Sequence, residues 1–110
     1  MSLYANYLTE RTNDKILEGQ TGFITYRYIN DGKSIYLVDI YVVPENRRKG
    51  AAKMLADLVV AEAKAAGCTE IFGTVVPATN NSTMSLKVLL SYGMELHSSL
   101  DNMIIFRKEI

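Results

Sequence analysis

Cysteine is nearly absent from this sequence, with Cys68 alone among 110 residues. A single thiol excludes an intramolecular disulfide and any metal site built from several cysteines, and it suits a reducing cytoplasm. Histidine is as scarce. His97 is the only one and is flanked by Leu96 and Ser98, so it is expected to be structural or partly exposed rather than a ligand. Excess charge of either sign is missing too: twelve basic and twelve acidic residues cancel to a formal net charge of zero. That balance argues against general nucleic-acid binding, which needs a basic face. No apolar run approaches the roughly 18 residues of a membrane helix, and no basic segment leads into a short apolar one as in a secretory leader. Repeats, low-complexity tracts and linker composition are lacking as well. What remains is 48% hydrophobic, too apolar for disorder, and of a length that predicts one domain over residues 1–110.

The most informative stretch runs from Ser34 to Ala66. Ile35 to Val43 is almost continuously β-branched, aromatic and aliphatic, which predicts a strand buried on both faces and stopped by Pro44. Arg47, Arg48 and Lys49 follow, then Gly50, Ala51 and Ala52 at the start of a helix running to Ala66. A helix beginning there aims its free N–H groups and positive dipole end at the turn. Strand, basic glycine-containing turn and helix N-terminus together make a site for a phosphorylated ligand. The alternative is a solvated basic turn with no ligand. Neither a Walker P-loop nor a Gly-x-Gly-x-x-Gly dinucleotide fingerprint is present.

Along the chain, Leu3 to Leu8 predicts an edge strand, Thr9 to Asp14 a polar turn and Lys15 to Glu18 a short strand. Gly19 to Gly22 reads as a tight turn, and Phe23 to Ile29 as a strand with Ile24, Tyr26 and Tyr28 on one face. Asn30-Asp31-Gly32 is a hairpin signal. The helix presents Ala52, Leu55, Val59, Ala63 and Ala66 to a core and ends at Gly67. Glu70 to Val76 is a second apolar strand, so strand, helix and strand imply a right-handed parallel crossover. A helix from about Thr83 to Tyr92 is closed by Gly93, with Met84, Val88 and Leu89 able to face the core. Two strands close the chain, Met94 to Ser98 and Met103 to Lys108, around a turn at Asp101-Asn102.

Arg47-Arg48-Lys49-Gly50-Ala51-Ala52 resembles the Arg/Gln-x-x-Gly-x-Gly/Ala signature of the GNAT superfamily of acyl-CoA N-acyltransferases. Pro44 upstream and the helix downstream are in register with it, and the resemblance covers roughly Thr21 to Met94. The central strand is similar to that of the diamine acetyltransferase branch, although Val38-Asp39 stands where that branch has Glu-Asp. The resemblance implies an α/β (α+β) fold: a GNAT-like mixed sheet with an antiparallel meander, a β-α-β crossover, a second helix and a closing hairpin. The segment from Leu8 to Gly22 is too short for the two helices that usually wall the acceptor site. That side is therefore expected to be open or completed by a second subunit.

Acetyl-CoA is the cosubstrate that the resemblance implies, with no metal, and a primary amine the acceptor. Ile40, Tyr41 and Val42 would offer backbone groups to the pantetheine arm. The amides of Arg48, Lys49, Gly50, Ala51, Ala52 and Lys53 would hold the pyrophosphate, with charge from Arg47, Arg48 and Lys49, and Asn81 and Ser82 would lie beside the cofactor. Asp39, the only charged residue between Ile35 and Val43, is the candidate base, a structural Asp being the alternative. The family's usual tyrosine position is Leu89, which leaves Tyr92 as the candidate general acid, with packing its alternative role. The expected function is N-acetylation by a cytoplasmic homodimer. The second reading is a CoA-binding module with weak or lost catalysis, and a plain interaction domain is a third.

Overall fold

The computed structural model describes residues 3–47, 49–75, 87, 89–100 and 103–110. Among the described residues the elements run α1 (Leu3–Thr12), β1 (Lys15–Glu18), β2 (Gly22–Ile29), β3 (Ser34–Val42), a 3-10 turn (Pro44–Asn46), α2 (Ala51–Ala65), β4 (Glu70–Val75), β5 (Glu95–Leu100) and β6 (Met103–Glu109). Lys87 and residues 89–91 are also helical and lead into a turn at Tyr92 and Gly93. The turn expected at Asp101-Asn102, and the placements of Met84 and Val88, lie outside the described residues.

The six strands form one mixed sheet in the order β1-β2-β3-β4-β6-β5. β1, β2 and β3 are the antiparallel meander, and β3 pairs in parallel with β4 across α2. The β2–β3 reversal uses Asn30, Asp31 and Gly32, all at positive φ, with Gly32 N–H donating to Ile29 C=O. At the end of α2, Gly67 N–H donates to Lys64 C=O and Cys68 N–H to Ala63 C=O, the paired bonds of a Schellman stop. Gly67 has φ +98, which is why glycine serves there.

One core lies between α2 and the sheet, built from Leu55, Val59 and Ala63 of α2 with Ile24, Ile35, Ile71 and Phe106 of the strands. Ala66, expected on that face, is exposed, because the helix has already ended at Ala65. Tyr26 and Tyr28 point to the same side and donate their hydroxyls to one oxygen of Glu62, each at 2.8 Å. Cys68 is free, buried and donates to Gly32 C=O, and burial pushes its thiol pKa up.

Three expectations need correction. Leu3 to Leu8 is not an edge strand but the first part of α1. Its apolar residues do not alternate, and its aromatic side chains find partners at helical spacing: Tyr4 stacks on Tyr7 and the Arg11 guanidinium lies 5.7 Å from the Tyr7 ring centroid. Residues 9–12 are therefore helical rather than turn. Thr12 donates its hydroxyl back to Leu8 C=O and Asn13 stops the helix at φ +61. Finally, β3 is buried on both faces only in its first half, since Asp39 and Tyr41 are exposed.

The reason for the exposure is a bulge. Tyr26 pairs with Leu37 and Thr25 with Asp39, leaving Val38 as an extra residue in β3. A single extra residue exchanges the two faces of everything beyond it. Ile35 and Leu37 face α2 before the bulge, Ile40 and Val42 after it. Asp39 and Tyr41 are thereby turned to the opposite face.

Candidate functional site: the gap between β3 and β4

The parallel ladder between β3 and β4 has four rungs, from Ser34–Glu70 to Leu37–Gly73. Beyond Leu37, β3 stays with β2 as far as the Gly22–Val42 pair, while β4 stays with β6 as far as Val75–Ile104. Among the described residues, no rung joins Val38–Val42 to β4. The two central strands therefore part at the bulge. On the face away from α2, the Tyr36 and Thr74 hydroxyls meet at 2.6 Å and clasp the closed end of the gap.

The direction of the backbone groups along the gap follows from antiparallel pairing. Val43 N–H donates to Thr21 C=O, so the groups of residue 43 face β2. Alternation then turns Tyr41 toward β2, paired with Phe23, and turns Ile40 and Val42 into the gap. Of the three backbone positions expected to serve a ligand, two open into the gap and Tyr41 does not. Tyr41 contributes its ring instead, stacked 5.7 Å from Phe23, with the Arg47 guanidinium also 5.7 Å from its centroid. Arg47 Nε donates to Val42 C=O at 2.9 Å. Its charge thus braces the turn against β3.

Gly50 is the N-cap of α2 at φ +80, with no side-chain cap bond. The first backbone bond of the helix runs from Met54 N–H to Gly50 C=O at 3.0 Å. The amides of Ala51, Ala52 and Lys53 consequently have no intrahelical acceptor and carry the positive end of the helix dipole. A Cβ built on Gly50 would meet nothing within 4 Å among the described residues. Lys49 is exposed beside them, and Lys53 is exposed and paired with Asp57 at 2.9 Å. Amides without intrahelical acceptors and cationic flanks fit a phosphate group. Arg48, Asn81 and Ser82, expected to join this site, lie outside the described residues.

Asp39 is not the costly buried carboxylate that the strand composition implied. It is exposed, and its Oδ1 accepts from Ile40 N–H at 2.9 Å. The gap-facing amide of Ile40 is thus occupied by the neighbouring side chain. Tyr92 lies against the first turns of α2, with the Lys53 ammonium 6.0 Å from its ring centroid. Its ring packs against the core, and burial first, then its hydrogen bond to Asp57, push its phenol up to about 12. Lys108 Nζ lies 4.7 Å from that ring and donates to Tyr92 C=O. Asp39 and Tyr92 therefore bond to partners on different elements. Leu89 is buried over Gly73, where a Cβ would come within 3.0 Å of Leu89 Cδ2. His97 is exposed and stands edge-on to Phe72, their centroids 5.7 Å apart.

Sequence reasoning missed the Tyr36–Thr74 clasp and the Phe23–Tyr41 shelf, because both are cross-strand relations set by register. The two-residue spacing of Asp39 and Tyr41 did carry a signal, since it places them on one face.

A family model described as the acetyltransferase (GNAT) family matches residues 7–86. No curated protein matches the sequence. Among solved structures, the PaiA N-acetyltransferase of Thermoplasma acidophilum in complex with coenzyme A is 19% identical, with a TM-score of 0.77, over 98% of this chain and 69% of that one. A Bacillus subtilis acetyltransferase in complex with CoA is 15% identical, with a TM-score of 0.71, over 96% and 83% of the two chains. Ard1 from Thermoplasma volcanium is 15% identical with a TM-score of 0.67 over 82% of this chain, which spans 63% of the Ard1 length. At these identities the likeness is one of fold. Among the described residues, no helix is long and apolar enough to cross a membrane.

Proposed function

The chain belongs to the acetyltransferase (GNAT) family, and we propose that it transfers the acetyl group of acetyl-CoA to a primary amine by direct attack. The observation that carries this reading is the early end of the β3–β4 ladder beside the free amides of α2. A gap lined by backbone groups suits the amide-bearing arm of CoA, and the start of α2 suits its pyrophosphate. The Ile40 and Val42 amides supply donors for the polarised thioester carbonyl. Asp39 is the proposed base. The amine, once neutral, attacks the carbonyl carbon; the C–N bond forms, Asp39 takes the surplus amine proton, and the C–S bond breaks. The thiolate takes its proton from water, because the buried Leu89 offers none and the Tyr92 phenol is engaged with Asp57.

The face away from α2, with Asp39, Tyr41 and Phe23, is the proposed acceptor side. A cytoplasmic location matches the supply of acetyl-CoA, and a homodimer would cover the apolar Met54, Leu58 and Leu90, each more than half exposed. The second reading, a CoA-binding module with weak catalysis, is favoured by Leu89 alone.

Calorimetric titration of acetyl-CoA into the wild type and into Gly50→Glu tests the site. Binding by the wild type that is lost in the variant, followed by thiol release with an amine, is the expected result. Binding without thiol release across a panel of amines would favour the binding module, and no binding by the wild type would remove both readings.

A further inference from the structure

Two backbone amides of β3 open into the gap, and they differ in one respect. Ile40 N–H is already engaged, donating at 2.9 Å to Oδ1 of Asp39. A strand amide that has lost its neighbouring strand needs an acceptor, and a carboxylate is a strong one. Two features of β3 meet at this contact. The described pairing with β4 ends at Leu37, and beyond the Val38 bulge the Asp39 carboxylate stands on the exposed face, within reach of the amide that follows it.

We propose that Asp39 gates the Ile40 amide: its carboxylate and the acyl carbonyl of acetyl-CoA compete for the same N–H, so the arriving thioester releases the carboxylate to the amine. This inference rests on the acetyl transfer proposed above. In the free protein the carboxylate has a good donor and little call for an ammonium partner. Once displaced, it stands exposed on the acceptor side without that donor and attracts a cationic amine. Binding of one substrate thereby strengthens binding of the other, and the coupling is reciprocal. Phe23, stacked on Tyr41 on the same face, supplies ring surface that suits the alkyl part of such an acceptor, while the Tyr41 ring is already faced by the Arg47 guanidinium.

Asp39→Ala and Asp39→Asn separate this gate from simpler roles. Asn retains an oxygen acceptor for Ile40 N–H but carries no charge, whereas Ala frees the amide. Asp39 is exposed, so both variants are expected to fold, with thermal midpoints near that of the wild type. Hydrogen exchange followed by NMR on the ligand-free proteins should show Ile40 N–H protected in the wild type and in Asp39→Asn, and faster in Asp39→Ala. Calorimetry should show acetyl-CoA bound about tenfold tighter by Asp39→Ala, the scale of one charge-assisted hydrogen bond no longer displaced. Asp39→Asn should stay much closer to the wild type. An equal gain in both variants would point to charge repulsion of the phosphates and overturn the gate. So would an unchanged affinity in Asp39→Ala, or an Ile40 amide that exchanges alike in all three proteins. If none of the three binds acetyl-CoA, the acetyl-transfer reading falls and takes the gate with it; binding by the wild type with no gain in Asp39→Ala removes the gate alone.

Discussion

Tyr26, buried in β2, donates its hydroxyl to Glu62 on α2 at 2.8 Å. This bond ties the meander to the crossover helix, and Tyr28 repeats it on the same carboxylate oxygen. Glu62→Ala leaves the buried Tyr26 hydroxyl without its acceptor, at an expected cost of about 1–2 kcal/mol. Glu62→Gln, which can still accept, should lose less. Urea denaturation of the three proteins reads the difference, and equal midpoints would show that the bond contributes nothing.

The same cluster predicts alkaline behaviour. Burial, then the hydrogen bond to Glu62 and its charge, push the Tyr28 phenol up to about 12 and raise Tyr26 further. Tyr92 is likewise raised to about 12, by burial and by Asp57. A phenol that holds its proton more tightly in the fold than in the open chain stabilises the fold fully below the unfolded value near 10. Above about pH 10 the unfolded chain binds fewer protons, so stability declines with rising pH up to the folded values. Denaturation midpoints measured from pH 8 to 11 should be level and then fall. Tyr28→Phe should fall less steeply than the wild type.

Gly50 and Gly67 both lie in the left-handed region, at φ +80 and +98, and a Cβ on either would meet nothing within 4 Å among the described residues. Alanine at either position should cost about 1 kcal/mol through backbone strain. Only the Gly50 substitution alters the entrance to the free amides of α2. Equal losses of stability, with weaker acetyl-CoA binding in Gly50→Ala alone, are the expected pattern. Weakened binding in Gly67→Ala as well would show that the effect is general rather than local.

Gly73 and Leu89 are packed tightly enough to couple. Gly73→Ala puts a methyl 3.0 Å from Leu89 Cδ2, and Leu89→Ala leaves a cavity over β4. The single changes should cost about 1–2 and about 3 kcal/mol respectively. In the double variant, the new methyl occupies part of the space the leucine vacated. A double-mutant cycle should therefore show a total at least about 1 kcal/mol below the sum. Strict additivity would mean that the two residues relax independently.

Much of this architecture was legible because it depends on local chemistry. Asn30-Asp31-Gly32 marks a reversal, Gly67 a helix stop, and the apolar run before Pro44 a central strand. The turn from Arg47 to Ala52 was legible as a candidate site for the same reason, since a helix N-terminus carries its own electrostatics. The Val38 bulge was not, because an unpaired residue is defined by its neighbours in β2 and has no composition of its own. With it went the orientation of Asp39, which looked buried in the run of apolar residues around it. At α1 the composition of Leu3 to Leu8 favours a strand, whereas the spacing of Tyr4, Tyr7 and Arg11 favours the helix that forms. The bond from Arg47 to Val42 C=O is a consequence of how the turn folds back, which residue type alone does not show.

The insertion of β6 between β4 and β5 has a consequence for biosynthesis. β5 leaves the ribosome before β6 does, yet its described ladder is with β6 alone. Until β6 emerges, the outer edge of β4 stays bare and β5 has nothing to pair with. A chain that ends ahead of Met103 would therefore leave the β4 edge that β6 covers open. Such an edge invites association with neighbouring chains.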